Sequence, residues 1–338
     1  MQMMYGTQYE RISMRTSILQ CKSVLSASSL LKRNLMCILR FRSAHVLQSK
    51  TLVLTRPIFC VLFLFLVTSF ICCLGCKPAR ALHAEVFPRD IKQGDAFFIK
   101  VKNIDTTSPP VAYLNGKRFH FSLCGEACFV TIGAIDIETK PGTYPVNLSV
   151  GEKKKTLTLV VKPAHFPTLN LTLPDEKVFL SKKDLARVRK EQERLNSLFQ
   201  GVSEKIWDGD FILPLDNELS TVFGTKRIMN KKKISIHRGL DIRGKEGETI
   251  RASNHGRVVL AEDLFFGGNT VIIDHGQGIY TIYMHLSKMN VQPGNLVTKG
   301  DSIGLVGASG RATGPHLHFG VKVLNVNTNP LSIVGLDL

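Results

Sequence analysis

The sequence predicts a mainly β protein in which a β-sandwich and an antiparallel β domain are joined by a short helical connector. Short runs of strand-forming residues, divided by glycine, proline, asparagine and aspartate, fill residues 85–165. Residues 181–199 change to the helical period, and strand-like runs with glycine turns return from Trp207 to the C-terminus. We therefore expect β domains at 85–165 and 207–338, with the connector at 175–206.

The front of the chain predicts export. Ile58 through Gly75 carry no charge, a length between a signal-peptide core and a minimal membrane helix. The Ala-Arg-Ala that follows fits a cleavage site near Ala81, so segment 57–81 is predicted to be a signal peptide or membrane anchor. The CLGC at its end resembles a lipoprotein box with Cys76 as the lipidated residue. Three end states stay open: a lipid-anchored protein, a free secreted protein and an uncleaved protein with a single-span anchor. In each case the predicted location is the periplasm or the outer cell envelope.

Residues 1–56 form a basic extension with nine lysines or arginines and the single acid Glu10. We interpret it as a start codon placed too early, with translation beginning near Met36 or closer to the apolar run. A disordered basic tail in the cytoplasm is the alternative. Behind it, residues 85–338 hold 33 basic and 26 acidic residues. This modest excess fits an anionic polymer such as cell wall, and it is not the charge signature of a nucleic-acid-binding protein.

The first β domain is predicted to be a small sandwich of immunoglobulin-like kind. Its TLTL run at 156–159 alternates polar and apolar residues, the period of a sheet with one buried face. The domain holds no cluster of catalytic residue types, so we interpret it as a spacer or as a docking module for an envelope partner. Cys124 and Cys128, the last two cysteines, predict a disulfide that closes a tight turn in an oxidising compartment. A metal or redox role for CGEAC is the alternative.

The connector is predicted to hold one amphipathic helix. Ser181 is a candidate N-cap, and Leu185, Val188, Leu195 and Leu198 follow near helical spacing among many charges. We expect this helix to pack on its own protein, and binding to a partner is the alternative.

Three short motifs concentrate the chemistry of the second β domain: HRGLD at 237–241, YMHL at 283–286 and GPHLHF at 314–319. If each lies on a strand, alternation decides which side chains share a face. His316 and His318 then project together, while the apolar residues between and after them enter the core.

The same period places Tyr283 and His285 on one face, and the four-residue gap places His237 and Asp241 on one side of an extended segment. Two nitrogens and one oxygen around a vacant position are what a catalytic zinc ion needs, because the fourth place holds water. A structural zinc site prefers thiolates, and no cysteine follows Cys128. The alternative is that these histidines are ordinary core or surface residues. That interpretation would suit a single histidine, but it does not explain both an HxxxD and an HxH motif in one small domain.

The stretch from Phe223 to Pro330 resembles the lysostaphin/LytM-type zinc endopeptidases, whose domain carries HxGxD, YxHL and GPHLHF in this order. The residues between the motifs, such as GNTVIIDHGQGIYTIYMHLS, are similar as well. The resemblance implies the antiparallel duplicated hybrid motif fold and one Zn²⁺ per chain. It also implies the site residues: metal ligands His237, Asp241 and His318, catalytic residues His285 and His316, and substrate contacts Arg227 and Asn230.

The resemblance further implies a zinc-dependent endopeptidase that hydrolyses the peptide cross-links of bacterial peptidoglycan, with peptidoglycan peptides and the cell envelope as partners. Degenerate relatives that have lost ligands activate other wall hydrolases, and this sequence departs at none of the five positions. A non-hydrolytic wall-binding activator and a general extracellular metalloprotease are the alternatives. Which bond is cut, D-alanyl-diaminopimelate or oligoglycine, stays open.

Two further groups of basic side chains lie outside the motifs. His255 and His275 stand beside glycines, and we interpret them as turn or surface residues. The run Lys231–Lys233 before the first ligand predicts a solvated hairpin tip, and a basic rim that attracts anionic wall polymer is the alternative.

Overall fold

The computed structural model describes most of the chain behind the apolar segment: residues 82–104, 108–172 and 179–338. All of them belong to one compact unit, Pro78–Leu338. The extension 1–56 and the predicted signal or anchor 57–81, with Cys76, lie outside the described residues. Across the three described ranges, no helix combines the length and apolar character needed to cross a membrane.

The first β domain is a two-sheet sandwich of nine strands. They are β1 (His83–Phe87), β2 (Asp90–Lys92), β3 (Ala96–Lys102), β4 (Val111–Leu114), β5 (Lys117–His120), β6 (Ser122–Leu123), β7 (Cys128–Ala134), β8 (Gly142–Val150) and β9 (Lys153–Lys162). One sheet has the order β1-β3-β7-β6 and the other β2-β9-β8-β4-β5. Phe97, Phe119 and Leu159 are buried between them. From Leu157 to Val161 of β9, every second residue enters this core, which confirms the alternation seen in TLTL.

The sheet that contains β3 and β7 is covered on both faces. β3 reads AFFIKVK and β7 reads CFVTIGA, so apolar residues occupy successive positions instead of alternate ones. Phe97 enters the sandwich interior, whereas Phe98 joins the core of the second β domain. Gln277 of the second domain also donates a hydrogen bond to the Val130 carbonyl. The two β domains are therefore anchored to each other through a shared apolar core.

A disulfide joins Cys124 to Cys128 between β6 and β7. The Cys124 N–H donates to the Cys128 carbonyl at 3.0 Å, and Ala127 adopts a left-handed φ of 52°. The bridge thus spans a tight turn at the entrance to β7.

One strand and one helix lie between the two β domains, and the helix belongs to the predicted connector. Strand β10 (Thr168–Leu171) pairs in parallel with β12 (Lys226–Met229) of the second domain. Helix α1 spans Lys182–Leu198. Its predicted N-cap is confirmed, because the Ser181 hydroxyl accepts the Asp184 N–H at 3.1 Å.

Helix α1 packs on its own protein, as predicted, along one side only. Leu195 and Leu198 lie against a cluster that includes Phe199 and Tyr280. No residue of the helix is fully buried. A salt bridge of 3.0 Å from Arg187 to Asp263 adds a polar contact with the second domain. Because this pair is exposed, we expect the apolar contacts to contribute more to docking.

The second β domain contains a ten-stranded antiparallel sheet, which confirms the predicted architecture. Its strands are β11 (Leu219–Thr221), β14 (Leu240–Arg243), β15 (Thr249–Arg251), β16 (Gly256–Leu264), β17 (Gly268–Gly276), β18 (Ile279–Met289), β19 (Leu296–Val297), β20 (Ser302–Val306), β21 (His316–Val323) and β22 (Val326–Thr328). The main path is β11-β14-β21-β18-β17-β16-β19. A three-stranded sheet, β10-β12-β13, includes β13 (Lys233–Ile236), and α2 (Pro330–Val334) closes the chain.

Three adjacent strands, β14, β21 and β18, carry most of the motif residues. Leu240, Leu317 and Phe319 point into the core and have no exposed surface. The residues that alternate with them therefore reach the opposite face of the sheet, where His316 and His318 are only partly buried. The alternation predicted for GPHLHF is confirmed.

Candidate metal centre

Three side chains converge on one point of that face. Asp241 of β14 lies directly opposite His318 of β21 in antiparallel register, so both project to the same side. Asp241 Oδ1 is 2.8 Å from His318 Nδ1 and 3.0 Å from His237 Nε2. The two nitrogens are 2.9 Å apart. The donor atoms thus form a nearly equilateral triangle.

The donor set and its spacing fit a divalent metal ion. Ligands about 2.0–2.1 Å from a tetrahedral zinc ion lie roughly 3.3 Å from one another, a few tenths of an ångström more than the sides of this triangle. His237 Nδ1 lies 3.2 Å from the Val222 carbonyl oxygen, which can only accept. Nδ1 therefore carries the proton, and the lone pair of Nε2 is directed at the centre.

The glycine of HRGLD has a steric role. A Cβ atom at Gly239 would lie 2.6 Å from His318 Nε2 and 2.6 Å from the Phe319 carbonyl oxygen. Contacts that short would displace a ligand ring or the strand that carries it. Glycine lets the turn between His237 and Asp241 approach β21 closely enough for the three donors to meet.

Asp241 is held as an anion at the centre. Burial alone would raise its pKa, but the close polar contacts with the His237 and His318 imidazoles outweigh burial and hold the pKa well below its usual range. Its second oxygen, Oδ2, forms a 2.7 Å salt bridge with Arg227 Nη2. The two oxygens therefore have separate partners, with Oδ1 facing the two imidazoles.

His285 reaches the metal face by a route that alternation does not predict. Tyr283 is fully buried, whereas the His285 ring lies 4.8 Å from that of His316, so the prediction that they share a face is wrong. A β-bulge is the reason. Three steps of β18, Tyr283 to Leu286, pair with two steps of β17, and His285 adopts a φ of 70°. This left-handed backbone costs about 1–3 kcal/mol and turns the side chain over.

Two glycine-rich turns support the bulge, and sequence reasoning missed both. The His285 N–H donates to the Gly267 carbonyl at 2.7 Å, and its Nδ1 lies 2.9 Å from the Ser309 carbonyl oxygen. Gly268 and Gly310, with φ of 59° and 69°, lie so close that a Cβ atom on either would collide with the backbone of the other. The FGGN and GASG runs are the signal that could have indicated this close approach.

His285 and His316 are held in the same tautomer. His316 Nδ1 lies 2.8 Å from the Gly314 carbonyl oxygen, which matches the contact of His285 with Ser309. Because carbonyl oxygens only accept, each Nδ1 carries a proton and each Nε2 offers a lone pair. Burial lowers the pKa of His285 to about 4, so this imidazole is neutral at physiological pH. His316 Nε2 is 3.8 Å from Asp241 Oδ1.

His275 is a core residue, so its interpretation as a turn or surface residue is wrong. It has no exposed surface: Nδ1 donates to the His255 carbonyl and Nε2 accepts from the Thr281 hydroxyl, both at 2.7 Å. Thr281 lies 3.0 Å from the Tyr283 hydroxyl, which accepts the Ser253 N–H. The glycine after His275 does not mark exposure, because β17 is an inner strand with nearly every residue buried. His255 itself lies at a bend, as predicted.

The β12–β13 hairpin stands next to the centre. Arg227 extends from β12 to Asp241, whereas Asn230 lies in the turn with a left-handed φ of 50° and donates its N–H to the Leu171 carbonyl. The run Lys231–Lys233 is exposed at the tip, which confirms the predicted solvated hairpin tip.

An antiparallel β domain with a candidate His-Asp-His metal site, flanked by two further histidines, fits a metallopeptidase. Residues 235–330 match the family model described as Peptidase family M23, which identifies a Peptidase M23 domain in this part of the chain. The match includes the three proposed ligands and both further histidines.

Named relatives match about a third of the chain. Over 109 residues the chain is 38% identical to peptidoglycan DD-endopeptidase ShyA of Vibrio cholerae, and the match covers 31% of this chain and 25% of that protein. Over 98 residues it is 39% identical to DD-carboxypeptidase/endopeptidase Mpg of Neisseria meningitidis, which covers 29% and 23%. The chain thus spans about a quarter of the length of these curated relatives.

One solved structure resembles more of the chain. A crystal structure described as a peptidase M23 from Pseudomonas aeruginosa superposes with a TM-score of 0.56 at 27% identity, and covers 72% of this chain and 94% of that one. Because this coverage is far larger than the M23 segment, the similarity of fold extends to residues outside it.

Proposed function

We propose that this protein is a zinc-dependent endopeptidase that hydrolyses peptide cross-links of bacterial peptidoglycan. The proposal rests on one observation: His237, Asp241 and His318 bring three donor atoms to 2.8–3.0 Å from one another, and the imidazoles of His285 and His316 lie beside them. The relatives named peptidoglycan endopeptidases supply the substrate class.

The proposed metal ligands are His237 through Nε2, Asp241 through Oδ1 and His318 through Nδ1. Zinc bound by such a set supplies Lewis-acid chemistry that activates water near neutral pH and polarises a carbonyl group. The chain supplies one negative charge, on Asp241, and two neutral rings, which leaves a net positive site for an electron-rich substrate carbonyl.

His285 and His316 are the proposed catalytic residues. Carbonyl groups hold their Nδ1 protons, so each ring presents Nε2 as a base that can take a proton and later return it. A positioned imidazole of this kind contributes roughly 10²–10⁴-fold to hydrolysis. One ring takes a proton from the attacking water at Nε2 and returns it to the leaving amine. The other ring would donate to the developing oxyanion only after it takes up a proton from solvent at its own Nε2.

Arg227 and Asn230 are proposed to border the bound substrate. The guanidinium of Arg227 holds Asp241 Oδ2, which keeps Oδ1 directed at the metal position. Because the side chain of Arg227 is 30% exposed, its remaining N–H groups can also reach a substrate carbonyl. Asn230 stands at the hairpin tip above it.

Export to the periplasm or outer envelope belongs to the same proposal, because peptidoglycan lies outside the cytoplasm. The disulfide between Cys124 and Cys128 fits that compartment, where thiols are oxidised. Whether 57–81 is a signal peptide or an anchor, and whether Cys76 is lipidated, are tested by N-terminal sequencing and mass analysis of the mature protein.

The decisive experiment incubates the purified, zinc-loaded protein with isolated sacculi and identifies the released fragments by mass. We expect cross-linked dimers to be converted to monomers, with activity lost on chelation and restored by zinc. Binding to sacculi without any fragment would favour the activator alternative. Equal digestion of folded casein would favour the general protease.

A further inference from the structure

Arg243 lies on the metal face of the sheet, although no motif contains it. On β14 it stands two residues after Asp241, and its register partner on β21 is His316. Opposite residues of an antiparallel pair project to the same face, as do residues two apart on one strand. Arg243 therefore stands beside a proposed catalytic histidine, while Ile242 between them is fully buried in the core.

The spacing corresponds to about two residues of substrate. Two steps along an antiparallel strand advance about 7 Å, which is the length of about two amino acids in an extended peptide. A peptide bond held at Asp241 and His318 therefore places the neighbouring substrate residue between the metal position and the level of Arg243, within reach of the long arginine side chain.

The guanidinium of Arg243 is available to a ligand. Its described ion-pair partner is Glu218, at 3.3 Å, and the two side chains are 64% and 78% exposed. Exposed pairs of this kind contribute little to stability, so a ligand carboxylate can replace Glu218. The nearby carboxylate of Glu248 has other partners, since it accepts hydrogen bonds from Asn217 Nδ2 and from the Lys245 N–H.

The surface around Arg243 has room for such a ligand. It forms an open depression of about 780 Å³, to which Asn217, Gly244 and Lys245 also contribute. Gly244 and Gly247 add no side chain to this surface. Arg243 thus lines this depression and, by its register on β14, stands on the metal face of the sheet.

We propose that Arg243 is a specificity-determining residue that binds a carboxylate carried by the substrate residue next to the scissile bond. This inference rests on the proposed function. A guanidinium pairs with a carboxylate through two parallel N–H···O bonds, which gives both attraction and orientation. A cross-link from D-alanine to diaminopimelate carries a carboxylate on the carbon bonded to the scissile nitrogen, whereas an oligoglycine bridge has none there. The inference therefore selects the D-alanyl cross-link.

The test compares two peptides, diacetyl-L-Lys-D-Ala-D-Ala with a free carboxylate and its C-terminal amide. Hydrolysis of each is measured with the full-length zinc-loaded protein, with Arg243→Gln, and with Arg251→Gln as the matched loss of charge on β15. We expect wild type and Arg251→Gln to favour the acid in kcat/KM by about ten- to hundredfold. Arg243→Gln should reduce that preference to within threefold, at unchanged zinc content.

If Arg243→Gln lowers kcat/KM equally for the acid and for the amide, the inference is overturned. If wild type cleaves neither peptide nor isolated wall, the proposed function fails, and binding still decides the role of Arg243. Calorimetric titration of zinc-loaded His285→Ala with both peptides then shows whether the acid binds more tightly. Equal affinities there, or a preference that survives Arg243→Gln, would also overturn it.

Discussion

The two halves of the candidate site are built in different ways. His318 and Asp241 reach each other through regular antiparallel register, and a tight glycine turn adds His237. His285, in contrast, depends on a bulge, a left-handed backbone and two glycine turns from distant parts of the chain. The metal-binding half thus follows from strand geometry, whereas the catalytic half also depends on tertiary contacts, through His285. Substitutions should therefore separate metal binding from turnover.

The largest effect is expected in the metal-binding half of the site. Asp241→Ala removes the one anionic donor, so zinc content should fall to near zero and hydrolysis by at least about a thousandfold, because water is no longer activated. Metal analysis and sacculus digestion measure both. Asp263→Ala, which removes an exposed carboxylate at the α1 contact, is the control and should change neither. Full zinc content in Asp241→Ala would contradict the ligand assignment.

A substitution in the catalytic half should reduce turnover without loss of the metal. His285→Ala removes a proton carrier but no metal ligand, so we expect the rate of hydrolysis to fall roughly 10²–10⁴-fold at full zinc content. Rates and metal content measured on the same preparation check this. A zinc-free His285→Ala protein would show that the two halves are not separable.

Arg227 supports the metal-binding half through Asp241, and its loss should weaken the metal site by a smaller factor. Arg227→Met keeps the length of the side chain but releases Asp241 Oδ2, so zinc affinity should fall about 10–100-fold. Competition with a chromogenic chelator measures that affinity. Arg257→Met, on an exposed position of β16, should leave it unchanged, and an unaltered affinity in Arg227→Met would remove the positioning role.

The glycine contact behind His285 offers a subtler test of the same comparison. Gly268→Ala would force its turn away from Gly310 and shift His285, so we expect hydrolysis to fall about ten- to hundredfold with zinc retained. Gly294→Ala is the matched control, because it shares a positive φ, 94°, but has open space around the added Cβ. Equal losses in both variants would assign the effect to backbone strain instead of contact.

The last prediction concerns the stability of the fold and its dependence on pH through His275. Burial lowers its pKa from 6.5 to about 4 in the folded protein, so as pH falls the unfolded state takes up a proton first. Stability is therefore lost between about pH 6.5 and 4, by about 3 kcal/mol. Urea unfolding at pH 7.5 and 4.5 should show this loss in wild type and a reduced loss in His275→Gln. Identical pH profiles would mean that another group titrates.

Sequence patterns predicted the regular parts of the fold well. Alternation in GPHLHF and TLTL and the Ser181 cap depend on local spacing, and the structure reproduces each. The same rule was wrong for Tyr283 and His285, because a bulge shifts the period by one residue and nothing local to YMHL marks it. His275 was misjudged for a related reason: a glycine neighbour indicates a turn only when the strand is near an edge.

The sequence by itself determined the two β domains, the helix between them and the chemical identity of the candidate site, since strand period, capping and ligand types are properties of neighbouring residues. Tertiary structure alone decided that β3 and β7 are buried on both faces, that Gly268 and Gly310 meet, and that Arg243 stands beside His316. These are contacts between residues far apart along the chain, and their existence depends on the packing and register of whole sheets. No local pattern contains that information.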